Sequence, residues 1–113
     1  MTEANNALTA ASPTSLAIYK QLLAKLAPFG PFREEIKKTS IHLARKSAFA
    51  GVHPRSQHLL LTIKAEKPIR SPRVTKAEQV SKSRWHLDVK LSNLEEIDGE
   101  LLSWLRQAYD LGA

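Results

Sequence analysis

Hydrophobic and polar residues alternate without interruption over residues 84–91, R-W-H-L-D-V-K-L. The odd-numbered residues from Trp85 to Leu91 are apolar, and the even-numbered residues from Arg84 to Lys90 are polar. This two-residue period is typical of a strand with one buried face. The pattern predicts the central strand of a small antiparallel sheet, with its apolar residues in the core.

Shorter runs with the same period predict further strands upstream. In one of them Leu59, Leu61 and Ile63 would face the core. In another, the small residues around Gly51 suggest close packing beside Phe49. Prolines precede the last run, which therefore predicts an irregular edge strand. The four runs are residues 39–43, 48–54, 57–64 and 73–80.

A helix is predicted near each end of the chain. Ser12 is placed as an N-cap before proline at the first helical position, and P-F-G-P at residues 28–31 ends this helix. The second helix starts at the capping-box spacing of Ser92 and Glu95 or at Asp98, and it ends near Gly112. The expected apolar faces are Leu16, Tyr19, Leu23 and Leu26 in the first helix, and Leu94, Ile97, Leu101, Trp104 or Leu105, and Ala108 in the second.

The order of these elements predicts an α+β fold. An antiparallel sheet of four or five strands would be flanked in sequence by an N-terminal and a C-terminal helix, both packed on one face of the sheet. Residues 1–11 are small and polar and are predicted to form a flexible tail, and residues 12–113 a single α+β domain. A chain of 113 residues can bury roughly two-thirds of its unfolded surface in one core.

Composition excludes several classes of function. The chain has no cysteine, so it has no disulfide framework, thiolate nucleophile or cysteine-ligated metal. The first residues lack the basic and apolar segments of a secretory signal, and no apolar run is long enough to span a membrane. A cytoplasmic protein without membrane association is therefore expected.

Charge is distributed unevenly along the chain. Residues 33–90 contain fourteen Lys and Arg against five Asp and Glu, a net charge of +9, whereas residues 91–113 contain one Arg against five acids, a net charge of −4. A basic region of this kind indicates a nucleic acid, another anionic ligand or an acidic partner surface. Solubility alone is the remaining explanation.

A small non-catalytic binding module is the predicted function, with a nucleic acid or another anionic ligand bound on the sheet face away from the helices. No helix-turn-helix pattern is present, so sequence-specific DNA reading is not expected. The alternative is a protein-interaction or self-association module, in which the acidic C-terminal helix of one copy contacts the basic face of another. The candidate ligand-binding residues are Lys38, His42, Arg45, Arg70, Arg73, Arg84, His86 and Lys90.

Enzymatic chemistry has weaker support in the sequence. Asp88-Val89-Lys90 and Glu35-Ile36-Lys37 match the short D/E-x-K form of metal-dependent nucleases, but about one such spacing is expected by chance among eleven acids and ten lysines. No second carboxylate is evident beside Asp88. The four histidines lack zinc-site spacing, and the four glycines form no phosphate-binding loop. No catalytic residue, metal or cofactor is predicted.

Four segments together resemble, in order and spacing, a bacterial family catalogued as domain of unknown function 5655. They are K-T-S-I-H-L, A-F-A-G-V-H-P-R, R-W-H-L-D-V-K-L and D-G-E-L-L-S-W-L-R-Q-A-Y. The matching positions include Arg84, His86 and the closing W-L-x-x-A-Y from Trp104 to Tyr109. The resemblance covers roughly residues 14–111 and implies a compact α+β unit, with no activity attached to it.

Overall fold

Six strands form one antiparallel sheet in the computed structural model, which describes residues 6–113. The strands are β1 Arg33–Ile36, β2 Ile41–Ala44, β3 Ala48–Pro54, β4 Leu59–Ala65, β5 Val74–Ser81 and β6 Arg84–Leu91. Their spatial order is β1-β2-β3-β4-β6-β5, so β6 lies between β4 and β5. The strand predicted over residues 84–91 is confirmed, but it is the second strand from one edge and not the central one. The last upstream run is confirmed as an edge strand.

Within residues 6–113 three α-helices accompany the sheet, two before it in sequence and one after it. They are α1 Ala7–Ala10, α2 Pro13–Leu26 and α3 Gly99–Leu111, with short 3-10 turns at Ala27–Phe29 and Leu94–Glu96. Ser12 caps α2 by accepting a hydrogen bond from the Ser15 amide, and Asp98 caps α3 by accepting one from the Leu101 amide. The predicted caps Ser12 and Asp98 are confirmed, because capping depends on residues only three positions apart. The capping box predicted at Ser92 and Glu95 is wrong by one residue, since Asn93 and Glu96 form it at the 3-10 turn.

One hydrophobic core joins the helices to the sheet. It combines Leu22 and Leu26 of α2, Leu101 and Leu105 of α3, and strand residues such as Leu61. In β4 the alternate residues Leu59, Leu61, Ile63 and Ala65 are buried and the residues between them are half-buried. The helices thus cover one face of the sheet and leave the other face open to solvent. The α+β class is confirmed.

The number of strands was predicted wrongly, because four or five were expected and six are present. The missed strand is β1, whose residues R-E-E-I show no alternation and are exposed except for half-buried Glu35. An edge strand outside the core needs no apolar face, since backbone hydrogen bonds to β2 hold it in place. A side-chain contact adds to this attachment, because the Tyr19 hydroxyl donates to Glu34 Oε1 over 2.5 Å. Burial and then Glu34 raise the pKa of Tyr19.

Two helical predictions also differ from the structure. On α2 the residues turned inward are Ser15, Ile18, Tyr19, Leu22 and Leu26, so the buried face is rotated from the expected one and Leu16 and Leu23 are only half-buried. On the C-terminal side, Leu94 is 45% exposed because it lies in the 3-10 turn before α3.

The predicted tail over residues 1–11 differs from the structure where the structure describes it. Residues 1–5 lie outside the described residues. From Asn6 onward the chain forms α1, in which the Asn6 side chain accepts from the amides of Leu8 and Thr9. Ala7 is buried and its amide donates to the Lys37 carbonyl, so packing and hydrogen bonds hold this short helix against the body of the protein.

Ser15 fastens α2 to the turn between β3 and β4. Its side chain is fully buried, and its hydroxyl contacts the carbonyl oxygens of Arg55 and His58, the latter at 2.8 Å. Because Ser15→Ala would leave buried acceptors without this donor, we expect it to lower the free energy of unfolding by about 1–3 kcal/mol. Thr14→Ala, at an exposed position in the same helical turn, is the control and should change it by less than about 0.5 kcal/mol. Equal losses in urea unfolding would contradict this role of Ser15.

Candidate ligand-binding groove

A groove crosses the open face of the sheet, away from the helices. The strand register places one residue from each of five neighbouring strands in a row across the sheet. These residues are His42, Gly51, Thr62, Asp88 and Lys76. Two adjoining recesses of about 220 and 250 Å³ lie along this row and share lining residues between β3 and β6. We call this feature the open-face groove, and its principal lining residues are His42, Gly51, His53, Thr62, Lys64, His86 and Asp88.

Gly51 forms part of the floor of the recess of about 220 Å³, on the side toward β2. Its backbone is not in the left-handed region, since Gly30 is the only residue among 6–113 with a positive φ. A Cβ at Gly51 would meet His53 Nε2 at 3.7 Å and Thr62 Cβ at 3.8 Å, which are ordinary contacts. The fold therefore tolerates a side chain at this position, and the effect of the glycine is to open the recess.

Three imidazoles line the groove. His42, His53 and His86 are all half-buried and lie on three different strands, β2, β3 and β6. Burial lowers the pKa of His53, and the positive charge of Arg55 adds to this effect, whereas the carboxylate of Asp88 opposes it. The His53 ring is therefore neutral at pH 7 and can stack on another ring or exchange hydrogen bonds.

Two cations lie at one side of the groove. Lys64 is half-buried in β4, and burial followed by the charge of Arg84 lowers its pKa. Its ammonium contacts Ser47 Oγ at 3.4 Å, and Arg84 donates to the Ser83 carbonyl at 2.9 Å. Among residues 6–113 neither cation forms an ion pair with a carboxylate. Two neighbouring positive charges without an acidic partner favour an anionic group beside them.

Carboxylates occupy the opposite side of the groove, toward β5. Asp88 Oδ1 accepts a hydrogen bond from Thr62 Oγ1 at 2.8 Å and keeps further lone pairs for other donors. Glu78 lines the same recess from β5, an edge strand whose pairing with β6 is irregular at two points, as the sequence predicted. Within the described part of the chain, however, no set of three or more His, Asp or Glu side chains is arranged to hold a metal ion.

The structure brings together only some of the predicted ligand-binding residues. His42 and His86 line the groove, and Arg84 borders it beside Lys64. Two others are engaged with the C-terminal helix. Arg45 donates to the Tyr109 carbonyl at 3.1 Å and stacks on the Tyr109 ring, while Arg73 forms ion pairs with Asp98 at 2.9 Å and with Glu100.

These contacts give Arg73 a role in attaching the loop before β5 to α3. Its guanidinium also contacts the Glu96 carbonyl and lies over the Trp104 ring at 5.8 Å. The Leu101 amide and then Arg73 lower the pKa of Asp98, which keeps this capping carboxylate ionised. Arg73 and Arg45 therefore hold the fold together and are not part of the groove.

Three more predicted residues lie apart from the groove. Lys38 is exposed in the turn between β1 and β2, and Arg70 is exposed in the loop that leads to β5. Lys90 is exposed and lines a separate recess with Arg73 and Thr75. Their charges are spread over the surface and share no pocket with the imidazoles.

Five groove residues were not among the predicted ligand-binding residues: Gly51, His53, Thr62, Lys64 and Asp88. From the sequence, Gly51 is interpreted as a packing position, and His53 as the end of the strand over residues 48–54 and the start of the turn that follows it. Their proximity depends on which strands are neighbours and in which register, and this pairing cannot be read from the period of a single strand. The sequence signal is present at Thr62 and Lys64, which alternate with buried residues of β4, and at Asp88, which alternates with buried residues of β6.

Comparisons with known proteins identify a family and nothing closer. A family model described as a domain of unknown function, DUF5655, matches residues 4–112. The search of curated proteins and the search of solved structures each find no significantly similar protein. No helix within residues 6–113 combines the length and apolar character needed to cross a bilayer.

Proposed function

This chain belongs to the DUF5655 family, and we propose that its open-face groove binds an anionic ligand, with single-stranded nucleic acid as the best fit. The proposal rests on two neighbouring cations, Lys64 and Arg84, beside a recess lined by three imidazoles. Among the described residues neither cation forms an ion pair with a carboxylate. Cations that contact phosphate and rings that stack on bases are the two elements by which proteins hold single strands.

The size of the recess favours part of a long ligand over a whole small molecule. Pockets for drug-sized ligands usually measure about 300–1,000 Å³, and each of the two recesses of the groove, at about 220 and 250 Å³, is smaller than that. The recess of about 220 Å³ is lined by Ala48, Ala50 and Gly51 as well as by imidazoles, so it offers an apolar contact to a flat ring. One base of a nucleic acid strand fits this description.

Cations lie at one side of the groove and carboxylates at the other, which defines the orientation of a bound ligand across the sheet. A phosphate would lie next to Lys64 and Arg84, and the amino group of a base could donate to Asp88 on the side toward β5. Duplex DNA is a poorer fit, because its bases are read by elements that project into a groove of the nucleic acid. A recess in a sheet instead receives unpaired bases.

Charge reversal tests this proposal. We expect the parent protein to bind a fluorescent single-stranded oligonucleotide at low salt, and we expect Lys64→Glu with Arg84→Glu to weaken binding at least about tenfold. The slope of log affinity against log salt should also fall by about 0.7 for each lost phosphate contact. Anisotropy titrations at three salt concentrations measure both quantities.

The matched control is Lys20→Glu with Lys25→Glu, which changes the net charge equally at two exposed positions of α2. This control should bind nearly as the parent does. Equal weakening by the two double variants would show general attraction to a cationic protein and no site in the groove. An absence of binding by the parent at low salt would contradict the proposal directly.

A further inference from the structure

Strand β5 presents an open edge at one side of the sheet. It is the last strand in the spatial order, and none of the described strands pairs with its outer side. Residues 75–81 are all exposed, and Val80 is 46% exposed. An edge strand of eight residues with free backbone groups is a template for pairing with another strand.

The sequence of β5 is complementary to itself when two copies run antiparallel. With Ala77 on a twofold axis, Lys76 of each copy lies opposite Glu78 of the other. This register concerns the stretch between the two irregularities of β5, because the pairing with β6 shifts between Val74 and Lys76 and between Gln79 and Ser81. Opposite charges therefore meet directly across the axis, and such cross-strand pairs stabilise a sheet.

Lys76 and Glu78 are available for such pairs. Neither forms an ion pair with any residue among 6–113. Both lie on the open face, because they are opposite Asp88 and His86 of β6. The other edge of the sheet differs, since in β1 Arg33 pairs with Glu35 at 2.8 Å and Glu34 accepts from Tyr19.

We propose that β5 pairs with β5 of a second copy across a twofold axis at Ala77, which joins two six-stranded sheets into one continuous sheet. A lysine and two β-bulges, between Val74 and Lys76 and between Gln79 and Ser81, protect this edge from indiscriminate pairing. In the dimer, Glu78 of the second copy neutralises Lys76, so the edge of β5 pairs preferentially with another β5. The acids of α3 play no part in this contact, and Asp98 and Glu100 are already paired with Arg73.

Charge exchange at two positions tests the pairing and its register. In sedimentation velocity at increasing protein concentration, we expect the parent to form a reversible dimer. Lys76→Glu alone and Glu78→Lys alone should each place four like charges at the twofold axis and weaken the dimer at least about tenfold. Circular dichroism of each variant checks that the fold is retained.

Two combinations should restore the dimer. An equimolar mixture of the Lys76→Glu and Glu78→Lys proteins should associate, because each chain then meets the opposite charge. The double variant Lys76→Glu with Glu78→Lys should dimerise like the parent for the same reason. A monomeric parent, single variants that dimerise unchanged, or a mixture that stays monomeric would each overturn the proposal.

Discussion

Replacing Leu61 with alanine is expected to lower the free energy of unfolding by about 2–5 kcal/mol, as is typical of a buried leucine. Leu61 lies in the middle of β4, opposite Val52 and Val89, and is 0% exposed within the core. Because domains of this size are stable by only about 5–15 kcal/mol, the loss is a large part of the total. The melting temperature should fall by at least about 8 °C, at about 4 °C for each kcal/mol.

The neighbouring residue supplies the control for this prediction. Leu60 has the same side chain but points to the open face, where it is half-buried between His53 and Lys90. Leu60→Ala should therefore cost less than about 1 kcal/mol. Thermal and urea unfolding of the two variants measure the difference. Equal losses at the two positions would show that the faces of β4 have been assigned wrongly.

Filling the recess at Gly51 is expected to abolish most ligand binding without unfolding the protein. A leucine side chain there would occupy the space that the proposed function gives to a base. Loss of one stacked base costs about 1–3 kcal/mol, so Gly51→Leu should weaken oligonucleotide binding roughly 5- to 150-fold. Gly51→Ala should have a smaller effect in the same anisotropy titration, because a methyl group fills less of the recess.

The matching control is Gly99→Leu, which makes the same substitution away from the groove. Gly99 is the first residue of α3, and a Cβ there would meet no atom within 4 Å. This variant should bind like the parent, and circular dichroism should show both proteins folded. If Gly51→Leu bound the oligonucleotide as tightly as Gly99→Leu does, the ligand would not lie in the recess.

The proposed ligand site and the proposed dimer contact share part of one surface. Lys76 and Glu78 line the end of the groove and also form the proposed pairing edge, so two copies would bring their grooves to the same twofold axis. Oligonucleotide binding to a monomeric Lys76→Glu protein would support the groove alone. A dimer that binds no oligonucleotide would support the edge alone.

The closing segment on which the resemblance to the family rests is explained largely by packing. In W-L-x-x-A-Y the residues Trp104, Leu105, Ala108 and Tyr109 are all buried, and Tyr109 donates its hydroxyl to the Pro31 carbonyl at 2.9 Å. Gly30 has a φ of +132°, and a Cβ there would lie 2.5 Å from the Tyr109 hydroxyl oxygen. This glycine is thus required both by its backbone and by the close approach of the C-terminal helix. Arg84 and His86 are the motif positions that lie at the groove.

Features that depend on nearby residues were determined by the sequence alone. Ser12 and Asp98 begin the two long helices, and the alternation from Arg84 to Leu91 defines a strand with one buried face. A cap acts over three residues and a strand period over two, so no distant contact is needed to recognise them. The α+β class follows from the order of these elements.

Only the tertiary structure determines which polar residues lie close together. Strand pairing brings His42, Thr62 and Asp88 into one row, and helix packing commits Arg45 and Arg73 to α3. In the sequence all five are simply polar or charged residues, with no sign of their partners. The physical reason is that pairing and packing join residues far apart in the chain, and their register is selected by burial of the whole apolar face and not by any polar residue.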